Sequence, residues 1–305
     1  MRAMQVHTGR RGGEVTVSDT RGDTLLHRVG RSVLRAFRPA DEVLAAVAAG
    51  QALQRPITTG RRIVVTGPRD EVGRSTLAAL LAMTFAHYRR DRVLAVDAAA
   101  GTGTLASRLG VRPRVSLGDL VDTAIGAGGF DDVEPHLAGV RERLWVLPSE
   151  RANSRGGRLG DHTYSGTVLP LTRFFGLTLV NCGSDMFDGI NRAAMLSAHA
   201  YVMVESATRE GAASMSQVID RMVAVGNRAS VERTLVVFVA GAARADAGFD
   251  FAATAERIRN NGAEVTRVGY DRHLAETTAI DPRRLAESTH TAVTRAAGEA
   301  LRLSM

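Results

Sequence analysis

The chain has 305 residues, is 45% hydrophobic and 23% charged, and carries a formal net charge of +7. That length supports a sizeable core, and its single cysteine, Cys182, excludes an internal disulfide framework or a cysteine-based zinc cluster. No HExxH, CxxC or GxSxG spacing occurs, and the longest apolar run, residues 234–243, falls far short of the roughly 18 residues of a spanning helix, so metalloprotease, dithiol-redox, α/β-hydrolase and helical membrane classes drop out and a cytoplasmic protein is expected.

Residues 1–22 are rich in Arg, Gly, Thr and Asp without periodicity and read as a disordered basic tail. Residues 23–60 read as an N-terminal helical extension. Within it, residues 24–38 place Leu26, Val29, Val33, Leu34 and Phe37 at helical spacing, with Arg28, Arg31, Arg35 and Arg38 around the remaining surface. Such a basic amphipathic helix suits docking on a protein partner or on its own domain. Contact with the inner face of an anionic membrane is the lesser reading. A second helix, about 40–53, leads into a turn at 56–60.

From 61 to 305 strands and helices alternate, which points to an α/β, doubly wound, mostly parallel sheet of about seven strands. The expected strands are 63–66, 93–97, 144–147, 177–182, 201–205, 234–240 and 265–268. Most are continuous apolar runs, as strands buried on both faces should be. Helices are expected at 75–88, 103–109, 191–197, 211–225, 251–261 and 282–303, with a mobile loop at 151–166. His273 reads as a surface loop residue and Trp145 as core.

The chemistry concentrates at residues 62–81, a hydrophobic strand, a tight turn and a helix opening on Ser75 and Thr76. A phosphate-binding loop needs small uncharged residues whose N–H groups wrap the phosphates, and a lysine ammonium. This turn carries Asp70 and Glu71 at the small positions and Arg74 at the lysine position; all 39 basic residues of the chain are arginine. A carboxylate about 5 Å from a phosphate charge costs about 3 kcal/mol at an effective dielectric near 20. Micromolar binding amounts to only about 8 kcal/mol. The economical local solution is self-neutralisation, with Asp70 or Glu71 paired to Arg69 or Arg74 over the helix N-terminus.

Several segments, in order, resemble the ParA/MinD family of P-loop ATPases, whose deviant Walker A loop has the form K-G-G-x-G-K-[ST]-T. Here that loop reads Arg69-Asp-Glu-Val-Gly-Arg-Ser-Thr76. Residues 92–97, Arg-Val-Leu-Ala-Val-Asp, resemble the second acidic strand, and residues 144–148, Leu-Trp-Val-Leu-Pro, the strand ending in Leu-Pro. Residues 175–183, Phe-Gly-Leu-Thr-Leu-Val-Asn-Cys-Gly, resemble the Walker B strand, and residues 268–276 the closing I-P-Y-D-x-x-L-x-E signature. The Walker B wording and the helical preface look most like the MinD-like proteins associated with actinobacterial type VII (ESX) secretion.

The resemblance implies a degenerate nucleotide loop formed by Arg69, Asp70, Glu71, Val72, Gly73, Arg74, Ser75 and Thr76, in which Arg69 keeps only the charge of the family lysine that reaches a dimer partner's phosphates. It implies Ser75 and Asp97 as Mg²⁺ positions, Asp97 as the catalytic carboxylate where hydrolysis is retained, and Asn181 at the Walker B position in place of Asp. The family's purine-contacting Asn is missing, since Val237-Phe-Val-Ala-Gly241 stands there. The expected protein is a regulatory or adaptor member that requires no cofactor, hydrolyses no ATP, and acts through protein contacts in a secretion or cell-division assembly. The alternatives are a slow Mg-ATP-dependent dimerising switch and, less favoured by the nearly neutral body, a nonspecific DNA-binding partitioning protein.

Overall fold

The computed structural model describes residues 48, 50–99, 104–121, 128–149, 160–185, 189–242, 244 and 246–305. The expected tail 1–22, the amphipathic segment 24–38 and residues 151–159 lie outside the described residues. Within them, one sheet contains β1 (Arg61–Thr66), β2 (Val93–Asp97), β3 (Ala138–Arg141), β4 (Leu144–Leu147), β5 (Leu177–Asn181), β6 (Ala200–Ser206), β7 (Thr234–Val239) and β8 (Glu264–Val268). The order is β3-β4-β2-β5-β1-β6-β7-β8, and every neighbouring pair is parallel except β3 with β4. The sheet therefore has eight strands, where the sequence suggested about seven. The additional one, β3, is a four-residue edge strand that alternates between half-buried and exposed positions, so it lacks the apolar run that marks its neighbours.

Alternation along the central strand builds two cores at once. Ile63 and Val65 of β1 face a cluster with Leu77, Leu81 and Phe85 of helix Arg74–Tyr88 and Val293, Ala297 and Leu301 of helix Glu287–Leu303. Val64 faces the opposite cluster, with Ile190 of helix Gly189–Ser197 and Tyr164. On that same side of the adjoining strands, Met203 and Phe238 pack with Met215 and Ile219 of helix Arg209–Ala224 and Ile258 of helix Phe251–Asn260. Helices thus cover both faces, the doubly wound arrangement.

Three local expectations are corrected. Residues 161–166, read as the end of a loop, belong to a helical segment running to 172, wound as a π-helix over Tyr164–Val168. Tyr164 anchors it: the ring is fully buried and the hydroxyl lies 2.9 Å from Ser197 Oγ. His273 is buried in the short helix Arg272–Glu276, where Nε2 accepts from the Asp281 N–H at 2.9 Å, so its role is to hold the turn before the C-terminal helix. Trp145 is half-buried; it packs edge-on against Phe130 and Phe175 and donates its indole N–H to Glu134.

Because the seven parallel strands run the same way, their C-terminal ends share one edge, and connections leave β1 toward β2 on one side and β6 lies on the other. A crevice outside the carboxyl ends at such a point is where open α/β sheets bind ligands.

Candidate functional site

The turn after β1 begins at Gly67, where a Cβ would meet the Val204 carbonyl oxygen at 2.3 Å, so the chain passes too close to β6 for any side chain. Further along, Glu71 has φ +60° and Gly73, the N-cap of helix Arg74–Tyr88, has φ +89°. The backbone therefore keeps left-handed bends even though one of them is carried by a glutamate, at a cost of about 1–2 kcal/mol. The exposed Glu71 lines the mouth of a neighbouring cavity.

Arg74 turns back into this loop. Its guanidinium donates to the carbonyls of Gly67 at 3.2 Å and Arg69 at 2.5 Å, and pairs with Asp70 at 2.6 Å, leaving the side chain only 10% exposed. Asp70 also accepts from Ser184 Oγ at 2.8 Å, which joins the loop to the segment after β5. The Arg74 hydrogen bond, followed by that of Ser184, holds the Asp70 carboxyl below the usual carboxylate range. Of the self-neutralising pairs considered from sequence, Asp70 with Arg74 is the one that forms.

Arg69 goes elsewhere. Its Nε and Nη2 reach the fully buried Glu205 of β6 at 3.2 and 2.9 Å, Nη2 also donates to Ser206 Oγ, and Nη1 pairs with Glu210 at 2.7 Å. The Glu205 hydrogen bond is the main cause that raises the Arg69 pKa. Arg69 is thus bound within its own chain. Glu205 and Ser206 did not stand out in the sequence, although a glutamate closing the otherwise apolar Tyr201-Val-Met-Val-Glu205 run was the available signal.

Beneath the loop, Ser75, Asp97 and Asn181 come together. Asn181 Nδ2 donates to Ser75 Oγ at 3.0 Å and to Asp97 Oδ1 at 2.9 Å. Asp97 is fully buried at the end of β2 and also accepts from the N–H groups of Ala99 and Leu105. Burial outweighs these bonds and the nearby Arg74 charge, and its pKa is pushed up to about 6. Asn181 Oδ1 is buried with no partner.

This donor set does not fit the Mg²⁺ that the resemblance implies. Mg²⁺ is held by carboxylates, water and substrate phosphates, whereas here an amide N–H₂ stands between the hydroxyl and one buried carboxylate, and a guanidinium fills the loop above. Among the described residues no cluster of three His, Cys, Asp or Glu side chains that could hold a metal is found.

Next to the loop lies a cavity of about 290 Å³, lined by Gly73, Thr76, Leu77, Val239, Val268 and Tyr270 among others. Asp271 also lines it, and its carboxylate accepts from the N–H groups of His273, Leu274 and Ala286.

No family model matches this chain. The ESX-1 secretion-associated protein EspI of Mycobacterium tuberculosis is 31% identical over 176 residues, which cover 58% of this chain; the chain thus spans 26% of the length of that relative. Among solved structures, a ParA family ATPase from Chlorobium tepidum superposes with a TM-score of 0.63 at 16% identity, covering 78% of this chain and 99% of that one. The MinC:MinD cell division protein complex of Aquifex aeolicus gives 0.58 at 19% identity, covering 78% and 94%. The fold is that of the ParA/MinD P-loop ATPases, as the sequence motifs indicated. Among the described residues no helix is long and apolar enough to cross a membrane.

Proposed function

We propose that this chain is a regulatory or adaptor protein built on the ParA/MinD fold, which binds other proteins in a secretion-associated assembly and does not turn over ATP. The observation that carries this reading is the Arg74 guanidinium, which occupies the loop by bonding its own carbonyls and Asp70. A phosphate entering there would have to displace an internal ion pair and face Asp70 and Glu71. Phosphoryl transfer depends almost wholly on positioning and charge, and Asn181 brings a neutral amide where a second metal-supporting charge belongs. In this reading Arg69, Asp70, Glu71, Val72, Gly73, Arg74, Ser75 and Thr76 are a structural element, and Asp97 is a buried acceptor. The secretion setting rests on the likeness to EspI, and residues 24–38 are proposed as a partner-binding helix attached to a 61–305 domain.

A second reading, a slow Mg-ATP-dependent dimerising switch, draws on one observation, the cavity of about 290 Å³ beside the loop. It requires Arg74 and Asn181 to swing away. Steady-state phosphate release separates the two. The adaptor reading expects a rate equal to the blank; release that disappears in Asp97→Ala would establish the switch instead.

A further inference from the structure

The N-terminal edge of the sheet, at the far end from the loop, carries a row of arginines. Consecutive backbone hydrogen bonds align it: Val93 N–H to Arg143 O at 2.8 Å, Gly176 N–H to Arg92 O at 3.0 Å, Arg61 N–H to Gly176 O at 2.9 Å, His199 N–H to Arg62 O at 2.9 Å, and Tyr201 N–H to Arg233 O at 2.9 Å. The row crosses the starts of β4, β2, β5, β1, β6 and β7. At about 4.8 Å between strands it is about 24 Å long.

Its two halves differ. On the β4 side, Arg92 lies 3.8 Å from the centre of the Phe130 ring and Arg143 Nε is 3.5 Å from Glu142. In the β1–β7 half, Arg62 Nε donates to Ser197 O at 2.8 Å, and Arg233 Nη1 donates to Ala198 O at 3.1 Å and His199 O at 3.3 Å. These carbonyls fix the guanidinium groups without neutralising them. Arg61 Nε, like Arg143 Nε on the β4 side, is buried without a hydrogen-bond partner. Among the described residues no carboxylate lies within ion-pair distance of Arg61, Arg62 or Arg233. His199 lies in their midst; burial first, and then the charges of Arg62, Arg61 and Arg233, hold its pKa down to about 4. Beside them, at the end of helix Gly189–Ser197, Leu196 is 82% exposed.

We propose that Arg61, Arg62, Arg233 and Leu196 form a docking site for an acidic segment of a partner protein, one that carries at least two carboxylates and a neighbouring apolar side chain. The charged residues sit on β1 and at the start of β7, two strand intervals or about 10 Å apart along the backbone, room for two carboxylates of one segment. Planar guanidinium forks suit carboxylates bidentately. A duplex would lay repeated phosphates over a broad face, whereas Arg61, Arg62 and Arg233 span only about 10 Å of the edge. Leu196 gives contact area only to an apolar group. The site is independent of whether the loop takes nucleotide, so the two proposals fail separately.

The test is fluorescence anisotropy on the full chain with a labelled peptide of alternating glutamate and leucine. Saturable binding is expected, weakening about tenfold between about 50 and 300 mM salt. Arg61→Gln with Arg233→Gln should weaken it at least about tenfold, the corresponding lysine pair should restore most of it, and the exposed Arg295→Gln on the C-terminal helix should leave it unchanged. Leu196→Glu, at a position too exposed to affect folding, should also weaken it about tenfold and keeps the test valid if the double variant melts early. Binding that is unchanged in Leu196→Glu and in the glutamine pair overturns the proposal. So does tighter binding of a duplex oligonucleotide, or of vesicles containing anionic lipid, through the same residues.

Discussion

The two ends of the sheet treat arginine in opposite ways. At the C-terminal edge, Arg69 and Arg74 meet Glu205, Glu210 and Asp70 within the chain, and carbonyls take up further N–H groups. At the N-terminal edge, Arg62 and Arg233 are held by backbone carbonyls, Arg233 also lies 5.6 Å from the centre of the Tyr201 ring, and Arg61 Nε is buried without a partner. The family fold places its ligand chemistry at the first edge, yet there the charge is already spent inside the protein. A net charge summed over the chain hides this, since a paired and an unpaired arginine count the same. What an edge can bind depends on which of its charges have no internal partner.

The largest expected effect tests whether the loop arginines belong to the fold. Arg69→Ala leaves the fully buried Glu205 without its guanidinium and should cost about 3 kcal/mol in urea unfolding. Arg61→Gln, at the opposite edge, removes no ion pair and should stay within about 1 kcal/mol of the parent. Equal losses would erase the contrast between the edges.

Next is the buried carboxylate. The Asp97 pKa is raised from 3.8 to about 6 in the folded chain, so the native state binds more protons than the unfolded state across that window, and stability from this group falls as pH rises from about 4 to 6. Asp97→Asn removes the slope and should be more stable than the parent above pH 6 by up to about 3 kcal/mol. His199 acts in the opposite sense, with its pKa lowered from 6.5 to about 4, so its contribution grows as pH rises through that range. It is present in both proteins and cancels in their difference. Melting curves at several pH values decide it, and parallel profiles for the two proteins would contradict the assignment.

A smaller effect sharpens the comparison by reopening the loop. Asp70→Gly with Glu71→Gly and Arg74→Lys removes the internal ion pair and should tighten ATP binding by at least about tenfold, about 1.4 kcal/mol. Phosphate release should still require Asn181→Asp in addition. A triple variant that binds no better than the parent would mean that something other than the Asp70–Arg74 pair keeps the loop shut.

Most of the sheet was legible because β1, β2, β5, β6 and β7 are continuous apolar runs, which few other local structures explain. β3 was not, being short, at an edge and half exposed. The π-wound segment at 164–168 was hidden by Ser165 and Gly166, which read as loop, while the anchoring Tyr164 gave no periodic signal. The loop residues and the Asp70–Arg74 pair could be foreseen because the partners lie four residues apart. The Arg69–Glu205 contact, 136 residues apart, could not. The arginine row was present in the sequence as an arginine just before or at the start of β1, β2, β4 and β7, but only the register of the sheet turns scattered positions into a line.

In the proposed function Arg74 and Asp70 take the place of a nucleotide's phosphates. Isothermal titration of the full chain with ATP, with and without Mg²⁺, tests it most directly. No saturable heat is expected up to millimolar ATP, corresponding to less than about 4 kcal/mol of binding, and no difference on adding Mg²⁺; a one-site isotherm in the micromolar range that Mg²⁺ tightens would show that the loop still takes nucleotide.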